Sequence, residues 1–498
     1  MKKYILKSNK NSVIKPILIA FVFCLLLSVF TEKAMAQAPD TLWTRMFGDI
    51  GCDEGQSVQQ TIDGGYIIVG YTSSFGAGGG DVYLIKTDTV GDTIWTKTFG
   101  GVSADYGQFV RQTTDGGYIL VGGTYSFDIG DGDVYLIKAD NNGNAQWTKT
   151  FGGLRWDYGY SVQEIPGSGY IIAGETESFS GTGLSEVYII RTDINGDSIW
   201  AKTFGLSGRI SGYSIQKTND GKFIVVGGGS GYSDIYLIKI DTNGDSIWAK
   251  TFGGVYGDKG YCVQQTSDSG YIIVGETNSY GSGDYDIYLI KTDINGDSIW
   301  AKTFGHNYSH DVGYSIEQTF NGGYFLTGYS NNGVYLIKTD ENGDTIWTKT
   351  IGSAVLDRGY YGRQCSDGGY IVTGLTDTVG LGKSEVYLIR IASDEIGIVK
   401  NNKIKITKCK LYQNYPNPFN FLTSICYSIE RPSYISIKIY NQVGQTVRFL
   451  VNEKKNSGYY NVIWDGKDNR GKNVANGIYF YELRANKLVI AREMMYLK

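Results

Sequence analysis

Histidine is nearly absent: 498 residues hold two, His306 and His310. Imidazole catalysis and His-ligated metal centres therefore have little to work with. Proline is scarce too, at 6, and no G-X-Y period accompanies the glycines, which excludes a collagen-like chain. Of the 6 cysteines, Cys24 falls in the leader described below. Cys52, Cys262, Cys365, Cys409 and Cys426 are scattered and odd in number, so no disulfide framework is implied and a Cys409–Cys426 bridge stays open. No convincing amphipathic helix occurs, which excludes a helical solenoid. There is no nucleophile elbow, HExxH, CxxC or coherent carboxylate pair. The glycines of 76–80 precede a strand and lack a Lys-Ser/Thr, so they form no phosphate loop.

What the chain has is 69 Gly, 40 Tyr and 9 Trp, with 41% apolar and 14% aromatic residues. That composition excludes disorder. Residues 1–36 read as a secretory signal peptide. Lys2, Lys3, Lys7, Lys10 and Lys15 precede an apolar run over 17–30, and Ala34-Met35-Ala36 fits the small-x-small cleavage rule. About 14 apolar residues are too few to span a bilayer comfortably. Val22-Phe23 before Cys24 does not fit a lipobox. The mature chain is expected to carry no transmembrane segment.

Three markers recur seven times. Trp43, Trp95, Trp147, Trp200, Trp248, Trp300 and Trp347 are spaced by 52, 52, 53, 48, 52 and 47 residues. An aromatic follows a Gly-rich turn at Tyr66, Tyr118, Tyr170, Phe223, Tyr271, Tyr324 and Tyr370. A V/I-Y-L/I-I-K/R run centres on Tyr83, Tyr135, Tyr188, Tyr236, Tyr288, Tyr335 and Tyr387. In the first unit these predict strands over 56–61, 66–71, 82–86 and 93–99, joined by Asp-Gly and Asn-Gly turn chemistry. The middle two strands are apolar on both faces, as in sheets packed between sheets. Four strands in about 50 residues, seven times over, predict an all-β, seven-bladed β-propeller across 37–396. The mature chain begins on an outer-type strand, and the array ends on a third-type strand with none after it. The N-terminal strand is therefore expected to complete the last blade. The paired polar residues of the innermost strands, such as Gln59-Gln60 and Arg111-Gln112, are expected to line a wet lumen. The units resemble the glycine-rich tandem-repeat propellers of secreted bacterial proteins, a resemblance that implies fold and no activity.

Beyond a Lys-rich linker over 397–410 comes Asn414-Tyr415-Pro416-Asn417-Pro418-Phe419-Asn420, then strand-like segments to the end of the chain. Several short strands in about 90 residues predict a small Ig-like β-sandwich over 411–498. This stretch resembles the type A C-terminal sorting domain of the type IX secretion system. The likeness rests on QNYPNPFN, on ISIKIYNQVGQTV with Gly444, on WDGKDNRGKNVANGIYFYEL with Trp464, Asp465, Gly466, Gly477 and Tyr479, and on the basic Lys498. Phe421 stands where the family usually has proline. The resemblance implies export to the cell surface or medium, and as partners the secretion machinery and the peptidase that removes the domain.

Candidate chemistry is sparse. An acidic residue precedes the third strand at Asp81, Asp133, Glu186, Asp234, Asp286 and Glu385. These are candidates for Ca2+, with capping of the loop as the plainer reading. No other cofactor is expected. The DxNGD turns at 193–197, 241–245, 293–297 and 340–344 have the wrong spacing for an EF-hand and suit hairpins. His306 and His310-Asp311 share one loop. Asp-Ser/Thr-Ile/Leu triplets beginning at Asp40, Asp92, Asp197, Asp245, Asp297 and Asp344 resemble a bacterial O-glycosylation acceptor.

The net charge of −4 conceals two opposed halves. Residues 399–498 hold 17 basic and 6 acidic groups, whereas 37–398 hold 23 and 43. An acidic ring argues against nucleic acid as ligand. Uniform repeats favour a non-enzymatic module that binds carbohydrate or protein on its long-loop face. The alternatives are a glycosidase or lyase using Asp53, Glu54, Asp105 or Asp157, and a structural surface protein.

Overall fold

The computed structural model describes residues 36–498 except 128–129, 182, 206–207, 230–232, 332, 353–355, 378–382, 395–397, 400–401, 404–408, 413, 415–416, 418, 420–422, 457, 487 and 498, and except the side chains at 398, 399, 402, 403, 424, 426, 458, 459 and 461. Ala34, Tyr415, Pro416, Pro418, Asn420 and Lys498 thus lie outside the described residues. Among those described, every element is a strand. Among the described residues no helix is long and apolar enough to cross a membrane.

The first repeat forms Asp53–Gln60, Tyr66–Thr72, Asp81–Thr87 and Thr93–Phe99, paired antiparallel in chain order. The inner strand starts three residues earlier than its polarity predicts, because a bulge between Gly55 and Ser57 carries the pairing on to Asp53. Six further four-stranded sets follow the same order. The fourth and fifth are joined by one bridge, Gly228↔Lys259. Each innermost strand contacts the next, and Asp53–Gln60 also meets Asp357–Gln364, which closes the circuit. The last set is completed from the other end of the chain: Thr41–Phe47 pairs antiparallel with Glu385–Ile391. The outer edge is thereby covered.

The packing explains the markers. The second and third strands of each set are buried along their length, while the outer strands alternate between exposed and half-buried. Ile67, Val69, Val82 and Leu84 of one set share a core with Val110, Leu120 and Tyr135 of the next. Trp95 on an outer strand meets Tyr118 of the following set edge-to-face at 6.0 Å. Such contacts add about 0.5–1.5 kcal/mol beyond area burial. A Cβ on Gly143 would lie 2.6 Å from the Trp95 ring, and its φ of +77° suits glycine anyway. Lysines beside the Trp reach the same turns: Lys149 to Asp197 and Lys202 to Asp245, both at 2.6 Å. The DxNGD segments are therefore hairpin turns, with Asp193 Oδ1 accepting from the N–H groups of Asn195 and Asp197.

The C-terminal domain stacks two antiparallel sheets. One comprises Lys410–Leu411, Thr423–Ile429 and Gly458–Trp464; the other Thr446–Lys455, Ser433–Tyr440, Gly477–Ala485 and Leu488–Tyr496. Ile435, Ile437 and Ile439 alternate into a core with Trp464, Tyr481 and Leu483. Cys409 is a free thiol. The expected linker contains a short hairpin, Ile398–Val399 with Asn402–Lys403.

Candidate functional site

Every innermost strand carries the same bulge, and one residue per set is left without a cross-strand partner. These residues are Gln56, Gln108, Tyr160, Tyr213, Tyr261, Tyr314 and Tyr360. Bulges re-aim side chains, and here all seven line the central channel, a cavity of about 240 Å3. The five tyrosines form a continuous belt, with ring centroids 4.8 Å apart for 160/213, 5.2 Å for 213/261, 5.1 Å for 261/314 and 5.3 Å for 314/360. Burial pushes the phenols of Tyr213 and Tyr360 up to about 12. It pushes those of Tyr160 and Tyr261 well above their ordinary value, with nearby carboxylates adding to the effect. All remain neutral donors near pH 7.

Why the strand bulges there is visible in its glycine. A Cβ on Gly107 would meet Val69 and Val82 of the preceding set at 2.5 and 2.9 Å, so two sheets approach closely at that point. The recurring D-x-G-Q/Y signature, as in Asp157-Tyr158-Gly159-Tyr160, is a fourth repeat marker and would have identified the belt.

At one rim of the channel the surface is differentiated. Trp156 and Tyr158 lie parallel, 5.5 Å apart with 1° between their planes. Glu175 accepts from Trp156 Nε1 at 2.9 Å, Tyr160 OH at 2.8 Å and Ser211 Oγ at 2.6 Å. Glu276 accepts from Tyr261 OH at 3.0 Å and pairs with Lys259 at 3.3 Å. A second cavity of about 450 Å3 opens here, bordered by Trp156, Glu175, Glu177, Arg209, Tyr213 and Lys259. At the same end of the channel Glu54, which holds the strand position of Tyr158 and Lys259, accepts from Gln56 Nε2, and burial raises its carboxyl against the lowering field of Arg358.

Of the polar pairs of the inner strands, Arg111, Gln163, Gln216, Gln264, Glu317 and Arg363 line the central channel as expected, and other members of the pairs bond between sets. Gln59 Oε1 accepts from Gln112 N at 2.9 Å, Gln112 Oε1 from Ile62 N at 3.0 Å, and Gln60 Oε1 from Ser366 N at 2.9 Å. They tie neighbouring sets together by satisfying strand-edge N–H groups. Asp53, Asp105 and Asp157 are misread as loop carboxylates available for catalysis. All three are 0% exposed, at the start of an inner strand. Asp105 Oδ2 accepts from Gly101 N and Ser126 Oγ, pinning two loops.

The acidic residues ahead of the third strand are within or beside it. Asp81, Asp133, Glu186 and Asp286 are its buried first residue, Glu385 is a half-buried first residue, and Asp234 precedes Ile235. Asp81 Oδ2 accepts from Ala77 N at 2.7 Å and Asp286 Oδ2 from Ser282 N at 2.6 Å, so both cap their loops. Burial, and then the like charge of Asp105, raises the Asp81 carboxyl. His306 and His310 diverge, the first bonding Ser330 Oγ and the second facing Glu276. Among the described residues no three His, Cys, Asp or Glu side chains converge as a metal site.

In the C-terminal domain the motif opens the fold and grips its last strand. Asn414 is buried; its N–H donates to Tyr481 OH and its Nδ2 to Thr423 Oγ1, both at 2.8 Å. Asn417 Oδ1 accepts from Met495 N at 2.8 Å. Phe419 N donates to Met495 O and Leu497 N to Phe419 O. Trp464 packs between Phe419 and Tyr479 at 5.4 and 5.2 Å, its Nε1 on Lys467 O. Gly444 and Gly466 turn the chain at φ +78° and +64°, and Gly477 at +147°. Asp465 Oδ1 accepts from Lys467 N at 3.2 Å, closing the turn after Trp464.

Residues 425–488 match the FlgD Ig-like domain family. Among curated proteins none matches the sequence. Similar solved structures include PorZ, an essential bacterial surface component of the type-IX secretion system of Porphyromonas gingivalis, at 13% identity and TM-score 0.38, covering 91% of this chain. The chain spans about 60% of the length of that protein. A fungal alcohol oxidase of the AA5 family is similar at 9% identity and TM-score 0.48, covering 93% of this chain and 100% of its own. Drosophila Plexin A, in complex with Semaphorin 1b, is similar at 8% identity and TM-score 0.40, with 71% and 87% covered. Likeness at this level carries no argument about function. The chain is an all-β protein of propeller-like four-stranded repeats followed by a C-terminal Ig-like domain.

Proposed function

We propose that this is an exported, non-enzymatic binding protein whose seven-bladed ring takes carbohydrate at the tyrosine-lined channel mouth. In this reading residues 1–36 are a signal peptide cut after Ala36, 37–396 the binding ring and 397–410 a linker. Residues 411–498 are a type IX sorting domain, handled by that secretion machinery and removed by its peptidase at the surface. The observation that carries the ligand class is the belt Tyr160–Tyr213–Tyr261–Tyr314–Tyr360 continued by the parallel Trp156/Tyr158 plates. Aromatic faces suit the C–H faces of sugar rings, while Glu175, Glu276 and neutral phenols suit hydroxyls.

A glycan array probed with residues 37–498 tests it: specific glycan hits that Trp156→Ala abolishes are expected. Silence of the folded protein across the array would refute the ligand class. Glu54, with its raised carboxyl, keeps polysaccharide cleavage as the second reading. Hydrolysis lost in Glu54→Gln is the result that would favour it.

A further inference from the structure

The seams between neighbouring sets hold buried carboxylate pairs that the binding reading leaves unused. Asp286 begins a third strand and Asp311 precedes the inner strand of the next set. Both are almost wholly buried, at 2% and 0% exposure. An ideal Cβ built on Gly305 would sit 1.8 Å from Asp286 Oδ1 and 2.8 Å from Asp311 Oδ2, so the two oxygens are less than 5 Å apart. Asp286 Oδ1, the atom directed at its neighbour, is buried and has no hydrogen-bond partner among the described residues. The same juxtaposition recurs at Gly253, between Oδ1 of the half-buried Asp234 and Asp258 Oδ2, and at Gly100, between Asp81 Oδ1 and Asp105 Oδ2. Asp258 and Asp105 each present a further buried oxygen without a partner among the described residues. The charged group bearing on Asp81 is Asp105 and that on Asp234 is Asp258, like facing like.

Two buried carboxylates this close are stable together only if they share a proton or a cation. Hydrogen bonds from loop N–H and Ser hydroxyls reach the inner-strand aspartate's seam-facing oxygen, Asp258 Oδ2 from Gly254 N and Ser279 Oγ for example, and leave the third-strand Asp286 Oδ1 without a donor among the described residues. Such bonds favour the ionised form. Hard oxygen donors on short loops are what Ca2+ takes.

We propose that Ca2+ binds in these seams, bridging the third-strand aspartate of one set to the inner-strand aspartate of the next. Four seams have the full pair, the fourth being Asp133 with Asp157 at Gly152. Of the other three, the closing seam has Glu385 in place of the third-strand aspartate ahead of Asp53, and two lack the pair by sequence. Glu186 faces a strand that begins with Ile210, and Gly333 stands where Asp357 would need its partner. The ion would lock the long loops on the face that carries the channel mouth.

The test uses the mature chain, 37–498, stripped with EDTA, checked for native circular dichroism and titrated with Ca2+ by calorimetry. Metal content after gel filtration is measured in parallel. The expected result is about four ions per chain and a rise in melting temperature with Ca2+. Asp286→Asn should lose one ion, and Asp357→Asn, in a seam without the pair, should lose none. No calcium uptake by the folded wild type, with the same melting temperature in EDTA and Ca2+, would overturn the proposal. So would an Asp286→Asn protein that folds and binds as many ions as wild type. If stability instead rises as pH falls from 7 to 5 and ignores Ca2+, the pairs share protons and the proposal fails.

Discussion

One ion pair is written into most of the repeats and missing from the third, where Arg191 bonds Ser168 O instead, and from the sixth, where the omission sets up a quantitative experiment. The lysine of the third strand reaches the Asp of the first hairpin turn in its own set: Lys86 to Asp63, Lys138 to Asp115, Lys239 to Asp220 and Lys291 to Asp268, each at 2.9 Å. In the sixth set Lys338 is 0% exposed and its turn partner is Asn321, with Oδ1 at 3.3 Å. Burial pushes the Lys338 ammonium down to about 8, with Asp394 and Asp340 opposing. Against an unfolded value near 10.5, that is a penalty of roughly 3 kcal/mol on the charged form near neutral pH.

Asn321→Asp places a carboxylate on the ammonium. The equivalent Asp63 side chain is 60% exposed, so screening leaves about 1–1.5 kcal/mol of that penalty to recover. With unfolding entropy of about 2.1 cal/mol/K per residue over the ring, the melting temperature should rise by roughly 1–2 °C. The reverse change, Asp63→Asn, should lower it by a similar amount. Between about pH 8 and 10.5 the folded wild type binds fewer protons than the unfolded chain, so this lysine makes stability rise with pH across that window. The advantage of Asn321→Asp should therefore shrink from pH 7 to pH 10. Scanning calorimetry at both values reads it directly. A variant no more stable than wild type at pH 7, or one whose advantage grows with pH, would refute the reasoning.

Other consequences follow from the packing. Deleting residues 37–47 removes the strand paired with Glu385–Ile391; the ring should lose its cooperative transition and aggregate through the bared edge, read by calorimetry and light scattering. Trp464→Ala empties the centre of the C-terminal core at a cost of about 3–5 kcal/mol. Limited proteolysis should then degrade 411–498 while the ring's melting temperature stays put. Gly143→Ala forces a side chain at φ +77° against Trp95; a loss of about 1–3 kcal/mol is expected in chemical denaturation.

The ring was legible because its signals are local and repeated. Trp, the Gly-turn aromatic and the V-Y-L-I-K run each pack against their counterparts in the next set, so spacing alone reveals the sheets. Closure by Thr41–Phe47 followed from counting which strand type began and ended the array. What escaped depends on tertiary contacts. Gln59 and Gln112 look the same in sequence whether they face water or a strand-edge N–H. Asp105 reads as an accessible loop acid until two loops fold over it. The tyrosine belt was missed because Asp-x-Gly-Tyr looks like loop, and only the bulge turns that tyrosine toward the axis.

The central claim is that the belt at the channel mouth is the ligand site. Isothermal titration of an array-positive oligosaccharide into residues 37–498 and into a Tyr160→Ser/Tyr213→Ser/Tyr261→Ser variant tests it most directly. The account predicts at least a hundredfold loss of affinity, about 2.7 kcal/mol, in a variant that keeps the β-sheet circular dichroism of the parent. Undiminished affinity in that folded variant would contradict it.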